Sequence, residues 1–422
     1  GVEIKWTYHI HSNHHRLSAS HERSLIASSM ANIIVLCFLF TFLLNQLEAH
    51  VYLPLSRDSD SLQFVTTIQI GKSSLPSRLV LDLSAPFLFT DQPSSSIPIS
   101  KCSIQCFKAK PYVDDPNGSS SCFDHNRGIA SQGICMVSAV NTFTGSEAKG
   151  ELVEDQLEVG SISGATVKLN NFIFSIGPSL LLTGLASGAN GVLGLGRGNI
   201  GVLSQISNAV SSQRKFFLCL SSSTGFLLFG DGGINPIFPS KFSNDLAYTP
   251  LINTEREGDY LIEVKSIRIN AEKVAIGSEV ARISTSVPYT VLSSAAYESV
   301  TRAYESAAIA MNMRRVESGY PFGLCFSSEG GEEWPWMDLV LQSEMVKWRI
   351  EGKNLMKRVG DRRCLGIVDG GSKMDVGMVV GGMQLVDNLL EFNVGTNMLG
   401  FGKQSSCLGV FPRFITDFGN YF

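Results

Sequence analysis

Side chains able to do chemistry are sparse and unevenly placed in this chain of 422 residues. Of its histidines only His50 and His125 lie beyond residue 49, and His125 sits in a cysteine-rich stretch. A Ser-His-Asp or Cys-His arrangement needs an imidazole as its base, so nucleophilic catalysis of that kind has almost nothing to draw on. Metal sites meet the same shortage, and no metal ligand set or cofactor is expected. His9, His11, His14 and His15 resemble a metal tract, but they precede any segment that could form a core. Residues 196–201 satisfy G-x-G-x-x-G, yet no acidic residue follows about 20 positions on, so the stretch reads as a turn. What does stand out is a pair of short polar tripeptides closing apolar runs, Asp82-Leu83-Ser84 and Ser284-Thr285-Ser286. Each is followed later by two apolar residues and a glycine, Val192-Leu193-Gly194 in the first half and Val379-Val380-Gly381 in the second.

The elements that must hold these tripeptides are mostly strands. The chain is 44% hydrophobic and only 17% charged, with 40 glycines, a balance suited to β structure with frequent tight turns. Strand signals fall at 64–70, 77–83, 172–176, 225–230, 261–269 and 378–382, separated by Gly, Asn, Asp and Ser. Two stretches predict helices. One covers 204–211; the other runs from Ser293 into Met311, with a Ser start, an Ala-rich body and Tyr297, Val300 and Tyr304 at helical spacing. The duplication predicts two similar lobes, 50–240 with the cysteine-rich insert and 241–422. With a net charge of −4 and no Lys/Arg-rich run, nucleic acid and anionic membrane surfaces are not expected partners.

Residues 33–44 (IIVLCFLFTFLL) are apolar but for Thr41. The run is too short to span a bilayer and has the length of a signal-peptide core, with Met30 before it and Ala49 after it. We therefore expect a signal peptide over 30–49 and a secreted, extracellular protein that a membrane does not hold after cleavage. Residues 1–29, polar and patternless, read as an upstream extension outside the fold. Beyond the signal eight cysteines remain: Cys102, Cys106, Cys122, Cys135, Cys219, Cys325, Cys364 and Cys407. An even number in a secreted chain predicts four disulfides, with the pairing left open. Asn117-Gly118-Ser119 is a glycosylation sequon in a polar loop.

Taken together, LVLDLSAPFLFT (79–90), GVLGLG (191–196), ISTSVPYTVLSSAAY (283–297) and VVGGMQLVDNLLEFNVGTNMLGF (379–401) resemble the signatures of the pepsin-type aspartic proteases over 51–407. The resemblance is closer to a plant branch, comprising extracellular dermal glycoprotein, the basic 7S globulins and the wheat-type xylanase inhibitors. RKFFLCLSSS (214–223), GLCFSS (323–328) and CLGIVDGG (364–371) are similar to segments of that branch. It implies an all-β, bilobal pepsin-like fold with a few short helices. The branch usually carries further cysteines, shortly after the first Asp segment and at the end of the FIFS strand. Here Asp91 or Gln92 and Ile176 stand there, which implies the loss of whole bridges.

Aspartic-protease chemistry needs two carboxylates sharing one proton, one acting as base towards water and the other as acid. By resemblance Asp82 fills the first position and Ser284 the second, whose hydroxyl has no comparable acidity. Alone in the cleft, Asp82 would ionise at mildly acidic pH. Leu83 cannot make the cross-lobe grip that Thr285 can, Ser84 and Ser286 replace glycines, and Thr142 stands where active enzymes carry a flap tyrosine. No catalytic residue is expected.

A disulfide-bonded fold with a defunct cleft suits binding by surface loops. The resemblance implies inhibition of secreted microbial glycoside hydrolases, a xyloglucan-directed endoglucanase or a xylanase, in plant defence. Xylanase inhibitors of the wheat type probe their target with a second-lobe histidine, and this chain has none. Endoglucanase-inhibiting relatives use arginines, and Arg314 and Arg315 lie in the corresponding stretch. A guanidinium can pair with the two carboxylates of a glycosidase cleft; solvated loop charges near a helix C-terminus are the competing and plainer reading. Trp334-Pro335-Trp336 is either a core anchor or an exposed contact. Residual aspartic endopeptidase activity, and a storage or peptide-binding role as in the basic 7S globulins, remain the competing readings. The protein is expected to be a monomer.

Overall fold

The structure is a computed structural model that describes residues 51–92, 95–113, 133–161, 164–222, 224–230, 246–253, 258–328, 333–402 and 407. The expected signal, residues 1–29, Asn117 and Cys122 lie outside these residues, as does the expected lobe junction at 240. The described residues form one compact unit.

Why the strands form is plain in Phe64–Ile70, where Phe64, Ile68 and Ile70 are buried while Thr67 and Gln69 face water. That is the period-two pattern of a pleated strand with one wet face. The strand Leu75–Asp82 pairs with it antiparallel and runs parallel to Gly191–Gly194, placing Asp82 opposite Gly194. Gly191–Gly194 is flanked on its other side by Phe89–Thr90, which runs parallel to the long strand Thr166–Ile176. The second half repeats this arrangement. Glu279–Ile283 runs parallel to Met378–Val380, which pairs antiparallel with Thr290–Leu292, itself parallel to Ile367–Asp369. The two polar tripeptides therefore leave equivalent strands, one in a 14-stranded sheet and the other in a 5-stranded one.

The halves are welded by a shared sheet. Lys215–Cys219 pairs on one side with Thr224–Phe229 and on the other with Leu389–Asn393 of the second half. The strands Met398–Phe401 and Ala247–Pro250 extend the sheet further. At this seam Phe216 stacks on Phe392 with ring centroids 4.8 Å apart, and Tyr260 meets Phe392 edge-on at 4.6 Å. Such aromatic pairs contribute about 1 kcal/mol beyond their buried area. The all-β, two-lobed pepsin-like architecture with a few short helices is what forms.

The predicted helices form as Val202–Ala209 and Ser294–Ala310. The second buries Ala296, Val300, Tyr304 and Ala308, one face at four-residue spacing, and the Tyr304 hydroxyl donates to the Pro335 carbonyl at 3.1 Å. The predicted strand at 261–269 is in fact two. Tyr260–Val264 pairs with Glu279–Ile283, and Ser266–Ile269 with Met337–Val340. Lys265 marks the change of partner, its N–H reaching Val340 O at 2.8 Å. Two short helices carried no periodic signal, Ile104–Lys108 and Gly382–Leu385. In the first, the Ser103 hydroxyl accepts the Cys106 N–H at 3.1 Å and so caps it.

Disulfides join Cys106 to Cys135, Cys219 to Cys407 and Cys325 to Cys364. Cys102 is disulfide-bonded as well. Trp334 packs partly buried against the main core and Trp336 lies under the Arg349 guanidinium at 4.9 Å, so the Trp-Pro-Trp segment is an anchor. Among the described residues no helix is long and apolar enough to cross a membrane.

Candidate functional site: a capped single carboxylate

Asp82 ends the strand Leu75–Asp82. Its own carbonyl accepts the Leu195 N–H at 2.8 Å, which fixes the backbone beside Gly194. A side chain at Gly194 is impossible, because a Cβ there would lie 2.3 Å from the Phe87 carbonyl oxygen. This close approach lets the loop 83–88 fold back over the strand. The same geometry recurs at Gly381, whose Cβ would lie 2.3 Å from the Tyr289 carbonyl carbon.

The carboxylate of Asp82 is 0% exposed. Its Oδ1 accepts the Ser84 N–H at 2.9 Å, and its Oδ2 accepts the Thr142 hydroxyl. Thr142 comes from the tip of a hairpin built by Met136–Asn141 and Ser146–Ser161. Asn141 fixes that tip. Its side-chain oxygen accepts the Phe143 N–H at 2.9 Å, and its amide donates to the Leu181 and Thr183 carbonyls, both at 2.9 Å. Gly145 closes the turn at φ +72°, a backbone region that favours glycine. The residue that stands in the flap-tyrosine position is thus a cap on the acid.

Burial dominates the acidity of this group and raises its pKa above the ordinary aspartate value. Hydrogen bonds from Thr142, Ser84 and Ala85 oppose that rise, and the charge of Asp259 adds slightly to it. The carboxyl of Asp82 is sealed, not open, and holds its proton to higher pH than an exposed aspartate. Asp259 is no substitute partner, since it forms an ion pair with Arg282 at 3.3 Å.

Across the lobe boundary the second tripeptide is arranged as a closed turn. Ser284 is 2% exposed and its hydroxyl oxygen accepts the Ser286 and Val287 N–H groups, both at 3.2 Å. The Ser286 hydroxyl lies 3.0 Å from it. These contacts imitate what a carboxylate would do for the turn without offering an acid. Between the tripeptides one half of a grip survives. The Thr285 hydroxyl accepts the Leu83 N–H and donates to the Leu81 carbonyl, each at 3.1 Å. Leu83 is buried and returns nothing of the kind. The site can hold the lobes in register; it lacks the second carboxylate that water activation requires.

The two arginines singled out from sequence lie elsewhere. Both are exposed, and Arg315 begins the strand Arg315–Val316 on the second lobe. Its guanidinium pairs with Glu305 at 2.6 Å, and 54% of its side chain stays exposed. The side-chain partners of Asp82 are Ser84 and Thr142, neither of them near these arginines in the chain. The Thr142 cap was visible in the sequence as a position; the contact itself was signalled only by Asn141 and Gly145 bracketing a tight turn.

Comparison with known proteins extends this picture. Residues 64–231 match the family model described as "Xylanase inhibitor N-terminal", and residues 259–403 match "Xylanase inhibitor C-terminal". The chain is 37% identical over 401 residues to "Probable aspartic proteinase GIP2" of Nicotiana benthamiana, covering 84% of this chain and 90% of that one. It is 33% identical over 331 residues to the basic 7S globulin of Glycine max, covering 72% and 75%. The crystal structure of EDGP superposes with a TM-score of 0.74 at 36% identity, over 85% of this chain and 96% of that one. The soybean basic 7S globulin structure superposes with a TM-score of 0.75 at 30% identity, over the same shares of the two chains.

Proposed function

The chain belongs to the xylanase-inhibitor family of pepsin-like proteins, and from that premise we propose that it is a secreted, catalytically inactive aspartic-protease homologue. Its role in this reading is to bind and inhibit a microbial glycoside hydrolase, a xyloglucan-directed endoglucanase or a xylanase, outside the plant cell. The observation that carries the reading is the capped single acid. Asp82 is buried under Thr142 while Ser284 occupies the partner position, so a fold built for peptide hydrolysis retains its shape without its reagent. Both lobes nevertheless match models named for xylanase inhibition, which supports selection for binding over turnover.

Arg314 and Arg315 supply the contact in this proposal. Arg315 projects outward, and its carboxylate partner Glu305 could be exchanged for a carboxylate of the target cleft. The test adds the purified protein to a secreted xyloglucan-directed endoglucanase and to a xylanase. Loss of activity of at least one, at near-stoichiometric ratio, is expected. If neither enzyme slows, the inhibitor reading fails.

A storage or peptide-binding role is the second reading, favoured by the similarity to the basic 7S globulin and to the gamma conglutins, with gamma conglutin 1 of Lupinus albus 32% identical over 344 residues. It predicts binding of small peptides and no effect on either hydrolase. Residual peptidase activity, suggested by the similarity to the probable aspartic proteinase GIP2, would require pepstatin-sensitive cleavage at acidic pH that disappears in Asp82→Asn.

A further inference from the structure

A small cavity on the first lobe gathers charges of both signs that the chain leaves apart. It opens where the two long strands Ser146–Ser161 and Thr166–Ile176 lose register. Asp155 stands opposite Phe172 and Leu157 opposite Leu169, so Gln156 alone faces both Asn170 and Asn171. Two residues against one is a β-bulge, and Asn171 takes the left-handed φ of +58° that such a kink needs. The turn after Phe64–Ile70 is drawn in beside the bulge, because the Gly71 N–H donates to the Gln156 carbonyl at 2.8 Å. This brings the next residue, Lys72, to the same place. Lys72, Glu154, Asp155, Gln156, Asn170 and Asn171 all line one cavity of about 130 Å³.

Asp155 forms the buried part of the wall. The residue is 7% exposed; its Oδ1 accepts the Gln156 N–H at 2.8 Å, while its Oδ2 is buried with no hydrogen-bond partner. An acceptor withdrawn from water without a donor is costly, and more so when it is charged. The one ammonium that lines the cavity does not supply that donor. Lys72 is exposed and makes no ion pair with Asp155 or Glu154 among the described residues.

The lining selects among ligands by charge. A simple cation would be held by the two carboxylates but repelled by Lys72, and a simple anion would meet the reverse. A molecule that carries an ammonium at one end and a carboxylate at the other satisfies both. An ammonium offers three donors and no acceptor, which suits the bare Asp155 Oδ2, and its bonds to a carboxylate are charge-assisted. The asparagine amides at the rim can donate or accept towards either end. Drug-sized pockets run to about 300–1,000 Å³, so this cavity fits a ligand of only a few heavy atoms.

We propose that the bulge cavity binds a small free α-amino acid as its zwitterion, with the ammonium on Asp155 and Glu154 and the carboxylate on Lys72. The site shares no residue with the capped acid at Asp82 or with the arginines of the second lobe. It therefore stands whether or not the hydrolase proposal does.

Equilibrium dialysis of the full chain against radiolabelled L-alanine tests this. Saturable uptake of one alanine per chain is expected. In Asp155→Asn and in Lys72→Met the affinity should fall about tenfold or more, the loss expected for one charge-assisted contact. Lys72 is exposed, so Lys72→Met keeps the question answerable if Asp155→Asn does not fold. Ethylammonium and propionate each carry one of the two charges. Either should displace the label only at concentrations about tenfold or more above those at which unlabelled alanine does. Absence of saturable uptake, equal uptake by wild type and Lys72→Met, or displacement by either half-ligand as readily as by alanine would overturn the proposal.

Discussion

A carboxyl group that is 0% exposed and hydrogen-bonded by Thr142 and Ser84 is a structural acid, and its titration should betray this. Because burial raises the pKa of Asp82 in the fold, the folded chain binds this proton more tightly than the unfolded chain does. The stabilisation is fully present below the unfolded value, about 3.9. It is lost as pH rises through the higher folded value. Asp82→Asn carries no such loss. Denaturant unfolding of both proteins at several pH values should show wild type falling relative to the variant as pH rises from about 4. A gap independent of pH would show that Asp82 is not buried as described. The identity of this position, and of Ser284 opposite, was legible in the sequence because the duplicated motifs align. Its environment was not. The cap arrives 60 residues later, at a hairpin tip whose aim depends on Asn141 reaching the carbonyls of Leu181 and Thr183.

At the level of elements, the Thr285 hydroxyl is where two strand ends of different lobes are tied, through Leu83 N–H and Leu81 O. Thr285→Val keeps the shape and removes both bonds, leaving a buried donor and acceptor unmatched. A loss of about 1–3 kcal/mol in unfolding free energy is expected by urea titration. An unchanged midpoint would show that the tie contributes nothing. Strand positions such as Phe64–Ile70 were readable since alternation marks one wet face, and Ser294–Ala310 since its apolar residues recur at four. The break at Lys265 was overlooked although the apolar alternation changes phase there, from Ile262 and Val264 to Ile267 and Ile269. The change of partner, from Glu279–Ile283 to Met337–Val340, divides the run at that point. Ile104–Lys108 and Gly382–Leu385 are too short to show a period at all.

For the whole molecule, the proposed partner contact makes its own demand. Arg315→Glu should weaken a complex with a target hydrolase by about tenfold or more, with the wild-type affinity falling as salt is raised. Competition assays against the hydrolase would read this, and equal affinities would remove Arg315 from the contact. The lobes were legible from the duplication. The stacking of Phe216 on Phe392 at the seam was not, because no spacing rule connects positions so far apart in the chain. The Cys219–Cys407 bridge has a similar reach, joining residues separated by 188 in sequence across the seam between the halves. Any single cut of the backbone between those two cysteines therefore yields a two-chain protein, not two proteins. Its fragments would part on a gel only after reduction, so processing of this kind would leave the oxidised molecule a single covalent species.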